Sequence, residues 1–245
     1  MKTIDIRQKL EKIGVDMGSI CLGDFDQMGE FTAKRNRSPG DENYASVGAF
    51  YRSNYERGIL IYYLIRKFNL TSMLEVGFGR GYSSMCAAKA FYDSGIDGRI
   101  LTVDPNLPGS LDQLRQIFPP QLMKSIHPIC GTSQATLSSI NEKFDLVYID
   151  GDHSYEATKY DWNATKDKFN SFLLFDDYHM QSKNDPGIKC NRLIDEINES
   201  DVDCDEKELI IMDRRIFFDD RRIPDEKIDY GQVLLTKKSV NNDDW

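Results

Sequence analysis

The chain predicts an α/β fold: a doubly wound, mostly parallel sheet of seven strands, with a late antiparallel hairpin and an N-terminal helical arm. Three observations predict it. Short apolar runs alternate with segments of helical periodicity from about residue 51 onward. Five successive strand ends carry glycine or polar residues, at 75–81, Asp104, 131–133, 150–153 and 176–177. In open α/β sheets ligands bind beyond the carboxyl ends of the strands, so this regularity also places the site. The composition, 40% hydrophobic and 29% charged over 245 residues, is that of a folded globular domain.

Residues 2–13 read as a short amphipathic helix, with Ile6, Leu10 and Ile13 on one face. Residues 14–47 lack periodicity and are rich in Gly, Asp, Asn and Pro. A stretch of that length is expected to be a lid, an arm or an oligomer contact, with a floppy extension as the alternative. The chain therefore divides into an arm or lid over 1–50 and one domain over 51–240. Residues 50–68 form a helix whose apolar face carries Ile59, Leu60, Tyr63 and Leu64. Ser72 to Gly77 is a strand running into a glycine-rich turn, and Tyr82 to Tyr92 is a helix packed on the sheet. Arg99 to Asp104 is the second strand. A helix over 111–118 follows and is stopped by Pro119 and Pro120. Ile126 to Cys130 is the third strand, with a short helix after Thr132. Phe144 to Asp150 is the fourth strand, Tyr155 to Lys168 a helix, and Ser171 to Phe175 the fifth strand. Residues 188–198 are helical. Strands over 208–218 and 232–237 end the fold as an edge hairpin or a dimer surface, which leaves a homo-oligomer open.

Charge excludes some functions. Lys and Arg number 31 against 40 Asp and Glu, a net charge of −9, which is a poor match for a phosphate backbone. No nucleic-acid partner is expected. Arg214, Arg215, Arg221 and Arg222 read as a solvated face. The longest strongly apolar run, Ile59 to Ile65, is far short of the roughly 20 residues of a membrane span, so no membrane partner is expected. The first ten residues lack an apolar secretory core. Five scattered cysteines, Cys21, Cys86, Cys130, Cys190 and Cys204, form no C-x-x-C pair. A cytoplasmic location is the expectation.

Gly77, Gly79 and Gly81 form G-x-G-x-G between a strand and a helix. The dinucleotide fingerprint G-x-G-x-x-G would need a glycine where Tyr82 stands. Glu75 would repel a pyrophosphate but suits a cationic amino acid ligand, and Asp104 can accept ribose hydroxyls. With this loop and the acidic strand end, the chain resembles the class I S-adenosylmethionine-dependent methyltransferases, whose sheet is Rossmann-like. The resemblance runs over about 57–237. It implies that Glu75, Gly77, Gly79, Gly81, Tyr82 and Ser83 cradle the methionine part. Asp104 would hold the ribose, Thr132 and Ser133 would lie at the adenine edge, and Asp150 would border the cofactor.

Asp150, Asp176 and Asp177 each follow a buried strand. Parallel neighbours lie about 4.8 Å apart, so these carboxylates could converge. Their mutual repulsion is relieved by a divalent cation, and oxygen ligation suits Mg2+, with Mn2+ or Ca2+ as alternatives. Asp152 and Ser154 suit the cap of the following helix as well. His153 lies beside the cluster, His179 is its runner-up as a base, and His127 sits at a strand start, away from the ligand edge. The segments IDGDHSYE and LLFDDYH resemble those of metal-dependent small-molecule O-methyltransferases, nearest to the macrocin and mycinamicin type. That resemblance implies metal ligation by Asp150, Asp176 and Asp177, a general-base role for His153, and a vicinal diol, sugar or catechol-like hydroxyl as acceptor. A cephalosporin-hydroxylase-like enzyme, an NAD-dependent oxidoreductase and a non-catalytic binding protein on the same scaffold are the alternatives.

Overall fold

The computed structural model describes residues 1–16, 55–79, 81–179, 189–205, 207–211 and 230–240. The expected lid over 14–47 from residue 17 onward, Cys21 and the arginines between 214 and 222 lie outside them. So do the start of the helix over 50–68 and the continuation of the strand beyond Ile211.

The sheet is of the expected kind and has eight strands in the order β1-β7-β8-β6-β5-β2-β3-β4. In chain order these are β1 (Lys2–Asp5), β2 (Ser72–Val76), β3 (Arg99–Asp104), β4 (Ile126–Cys130), β5 (Phe144–Ile149), β6 (Phe169–His179), β7 (Glu208–Ile211) and β8 (Tyr230–Thr236). All neighbours are parallel except β8, which runs antiparallel to both β6 and β7. The helices are α1 (Ile6–Lys12), α2 (Tyr55–Phe68), α3 (Tyr82–Asp93), α4 (Leu107–Ile117), α5 (Pro120–Met123), α6 (Ser133–Thr136), α7 (Tyr155–Thr165) and α8 (Cys190–Glu196).

The eighth strand is the main departure from the expected seven. Residues 2–13 do not form one helix. Lys2 to Asp5 pair in parallel with Glu208 to Ile211, and only then does the chain turn helical. Asp5 marks the change: its carboxylate accepts from the Gln8 N–H as an N-cap. Lys9, fully buried, ion-pairs with Glu208 and ties α1 to β7. Burial pushes its ammonium down to about 8. Helix α4 begins earlier than expected, because Pro108 falls in its first turn, where a missing N–H costs nothing.

Two apolar layers cover the sheet. Ile59, Leu60, Leu64, Met85 and Phe91 from α2 and α3 pack on one face with Leu146, Phe172 and Leu174. Trp162 of α7 and Leu193 and Ile194 of α8 pack on the other with Val147, Leu173 and Val233. Strand β2 lies between β3 and β5, where the strand order reverses. That reversal opens a crevice beyond its carboxyl end.

Candidate active site

The crevice is a cavity of about 440 Å³ lined by Gly77, Gly79, Asp104, Thr132, Ser133 and Asp150, among others. Gly77, Gly79 and Gly81 all have positive φ, and two of them are constrained further. A Cβ on Gly77 would meet the Asp150 carbonyl oxygen at 2.0 Å, and one on Gly81 would meet the Phe78 ring at 2.5 Å. The loop thus lies directly on the end of β5 and needs both the left-handed backbone and the missing side chain. Asp104 holds it from the other side, its Oδ2 accepting from the N–H groups of Phe78 and Gly79 at 3.0 Å. Its Oδ1 accepts from the Asn106 N–H at 2.6 Å.

Glu75, read from sequence as facing the cofactor, is placed elsewhere. It is fully buried, and its carboxylate accepts from Ser83 Oγ, from Ser84 Oγ at 2.5 Å and from Thr102 Oγ1 at 2.6 Å. Burial raises its pKa, and the three hydroxyls pull it back down. Glu75 and Ser83 therefore brace the first turn of α3 against β2 and β3. Tyr82 packs in the core with α2 rather than lining the cavity.

Thr132 and Ser133 do line the cavity, with Thr132 capping α6 through the Ala135 N–H. Several further lining residues escaped the sequence reading, among them Asn106, Gln134, Ala157 and Asp161. Asp161 sits mid-helix in α7, where a carboxylate normally faces solvent, so no local signal marks it. It is 1% exposed.

The acidic cluster differs from the expected trio. Asp150, His153 and Asp177 each offer a ligand atom, all within 4.8 Å of one another and half-buried. The His153 Nε2 lies 3.2 Å from Asp177 Oδ2. Asp176 points inward instead, buried, with its Oδ2 accepting from Tyr148 Oη at 2.7 Å. The cause is a bulge in β6: its pairing with β8 shifts between Phe175 and Tyr178, and Asp177 takes φ 54°. Bulges of this kind re-aim side chains at strand ends. Asp152 accepts from the Ser154 N–H, and Ser154 is the N-cap of α7 through the Ala157 N–H. His127 is exposed on β4, away from the cluster. The His179 backbone pairs with Tyr230; its side chain lies outside what is described.

A Rossmann-like sheet with one antiparallel strand, and a cavity over a glycine loop at the strand reversal, define the methyltransferase fold class. Residues 74–178 match the family model described as a methyltransferase domain. The same fold recurs in solved structures. An O-methyltransferase from Bacillus cereus in complex with SAH is 14% identical at a TM-score of 0.60, covering 94% of this chain and 96% of that one. The O-methyltransferase TomG from Streptomyces achromogenes, involved in tomaymycin synthesis and solved with SAM, is 16% identical at 0.58, covering 86% and 90%. A methyltransferase from Geobacter sulfurreducens is 14% identical at 0.54, covering 97% and 99%. No curated protein matches the chain. The matched segment, Leu74 to Tyr178, contains the glycine loop, the cavity-lining residues and all three members of the Asp150–His153–Asp177 cluster.

Proposed function

We propose that the chain transfers a methyl group from S-adenosylmethionine to a hydroxyl of a small molecule, assisted by a divalent cation. One observation carries this reading. Asp150 directly follows β5, lines the cavity over the glycine loop and belongs to the cluster with His153 and Asp177. Cofactor cavity and candidate metal site thus share a residue.

The residues suit both groups. Asp104, at the end of β3, is placed for ribose hydroxyls, and the Gly77–Gly81 turn leaves room for close approach of the amino acid portion. Asp150 and Asp177 offer oxygen ligands, too few to fill the shell of a hard divalent cation, so the other positions would fall to substrate and water. When bound, S-adenosylmethionine supplies an electrophilic sulfonium methyl, and a divalent cation lowers the pKa of a coordinated hydroxyl. His153 takes the hydroxyl proton while Asp177 orients its ring, imidazole being the side chain that most readily exchanges a proton near neutral pH. Asp176 acts behind them, holding Tyr148 in place.

The test is methyl transfer from S-adenosylmethionine, with and without Mg2+, across a panel of vicinal diols and catechols. The expected result is transfer that stops in excess chelator and returns with Mg2+; full activity in chelator overturns the metal role. Asp177→Asn should lower turnover on the order of 10²-fold. A second reading makes His153 the third ligand in place of Asp176, favoured by its position inside the cluster. Mn2+ affinity of His153→Ala separates the two: retained affinity with lost turnover supports the base, and lost affinity supports the ligand.

Among the described residues, Cys86, Cys130, Cys190 and Cys204 are in no disulfide. No described helix is long and apolar enough to cross a membrane.

A further inference from the structure

Strand β5 places a tyrosine in the core whose hydroxyl meets two carboxylates at the ligand edge. Tyr148 is buried in the apolar layer beneath α2 and α3. It stands in register with Leu174 of β6, so Asp150 and Asp176 each follow two residues beyond that level. The phenol runs along the strands and spans the gap. Its Oη donates to Asp176 Oδ2 at 2.7 Å and stands 3.4 Å from Asp150 Oδ2. Phe172 and Phe91 are buried in the same layer without a hydroxyl, so packing alone does not call for one. A buried tyrosine hydroxyl usually finds a partner. Here both partners belong to the acidic strand ends.

We propose that Tyr148 is a positioning residue for the candidate cation site, holding the Asp150 carboxylate in the direction from which it joins His153 and Asp177. The inference rests on the reading of that cluster as a cation site, and deepens it. The backbone of Asp150 is already fixed. Its N–H donates to the Val76 carbonyl at 2.8 Å, and its own carbonyl abuts Gly77. What remains to be set is the direction of the carboxylate, and the phenol reaches it from the core side. Asp176 sets the phenol in turn, because an O–H donated to a carboxylate at that distance is among the stronger hydrogen bonds. The hydroxyl has one hydrogen for two carboxylates. It is held by Asp176 and lies against Asp150, a neutral dipole between two like charges at the ends of adjacent strands. With the ring kept and the oxygen removed, the two carboxylates face each other with no hydroxyl between them, and Asp150 loses the group it rests against. Partners that orient a metal ligand in this way are typically worth about 10–100-fold in metal affinity or activity.

Titration of the full chain with Mn2+, followed by electron paramagnetic resonance, tests this beside calorimetry of S-adenosylhomocysteine binding. Tyr148→Phe should weaken Mn2+ binding about tenfold and leave S-adenosylhomocysteine affinity within about twofold of wild type. Gly77, Gly79 and Asp104, which line the cofactor cavity, are untouched by that change. Asp176→Asn keeps an amide oxygen to accept from the phenol, so it should retain more Mn2+ affinity than Tyr148→Phe. A Tyr148→Phe protein that binds Mn2+ as tightly as wild type, or more tightly, overturns the proposal. So does one that loses Mn2+ and S-adenosylhomocysteine binding alike, the mark of a packing role. An Asp176→Asn loss as large as that of Tyr148→Phe makes Asp176 a ligand in its own right and overturns its action through the phenol. Absence of Mn2+ binding by the wild-type chain overturns the cation reading itself, and the proposal with it.

Discussion

Glu75 and Asp161 are both buried carboxylates near the carboxyl ends of the strands, and they have opposite surroundings. Three hydroxyls from α3 and β3 surround Glu75, and it does not reach the cavity. Asp161 has one oxygen without a partner and lines the cavity. Their difference teaches that acidity near a ligand site says little by itself. A carboxylate bonded on both oxygens and standing away from the cavity braces the scaffold, and one at the cavity wall with an unpartnered oxygen is left short of a donor.

That contrast can be broken by substitution. The largest effect is expected at Glu75. Glu75→Ala leaves Ser83, Ser84 and Thr102 without their acceptor and opens a void beneath α3. It should cost about 3–5 kcal/mol in urea denaturation, with ligand affinity of the remaining folded protein little changed. Loss of affinity without loss of stability would return Glu75 to the binding site.

Asp161→Asn should do the reverse and stabilise the ligand-free protein at pH 7. Folding lifts the Asp161 carboxyl from 3.8 to about 6, so the native state holds this proton more tightly than the unfolded chain. Stability from this group is therefore full below about pH 4 and is lost as pH rises through 6. The neutral amide escapes that loss, a gain on the order of 2 kcal/mol at pH 7 that should shrink towards pH 4. Denaturation of both proteins at the two pH values measures it. A variant less stable than wild type at pH 7 would make Asp161 a structural residue like Glu75. The smallest effect is expected at Ser154, which caps the helix that carries Asp161. Ser154→Ala should cost about 1 kcal/mol, read as a lowered midpoint of thermal unfolding.

Much of the fold was legible because it follows local periodicity. The runs Arg99–Asp104 and Ile126–Cys130 are strands at their expected bounds, and Tyr82 opens a helix after the glycine turn. Lys2–Asp5 was not legible: its strand partner, Glu208–Ile211, is about 200 residues away, and four residues carry too little pattern to reveal it. Asp150, His153 and Asp177 were each singled out, yet their grouping was not, since adjacent Asp176 and Asp177 look alike in the chain.

The sequence by itself determined the order of the strands from Ser72 onward, the glycine turn and the acidic character of the strand ends. All of these depend on backbone preference and on apolar spacing within a few residues. The tertiary structure decided which way each carboxylate points. A bulge against β8 sends Asp176 to Tyr148 and Asp177 to His153, packing on α3 and β3 encloses Glu75, and the seating of α7 brings Asp161 to the cavity. Each of those outcomes depends on partners remote in the chain, and a side chain's direction is set by the neighbours it meets only after folding.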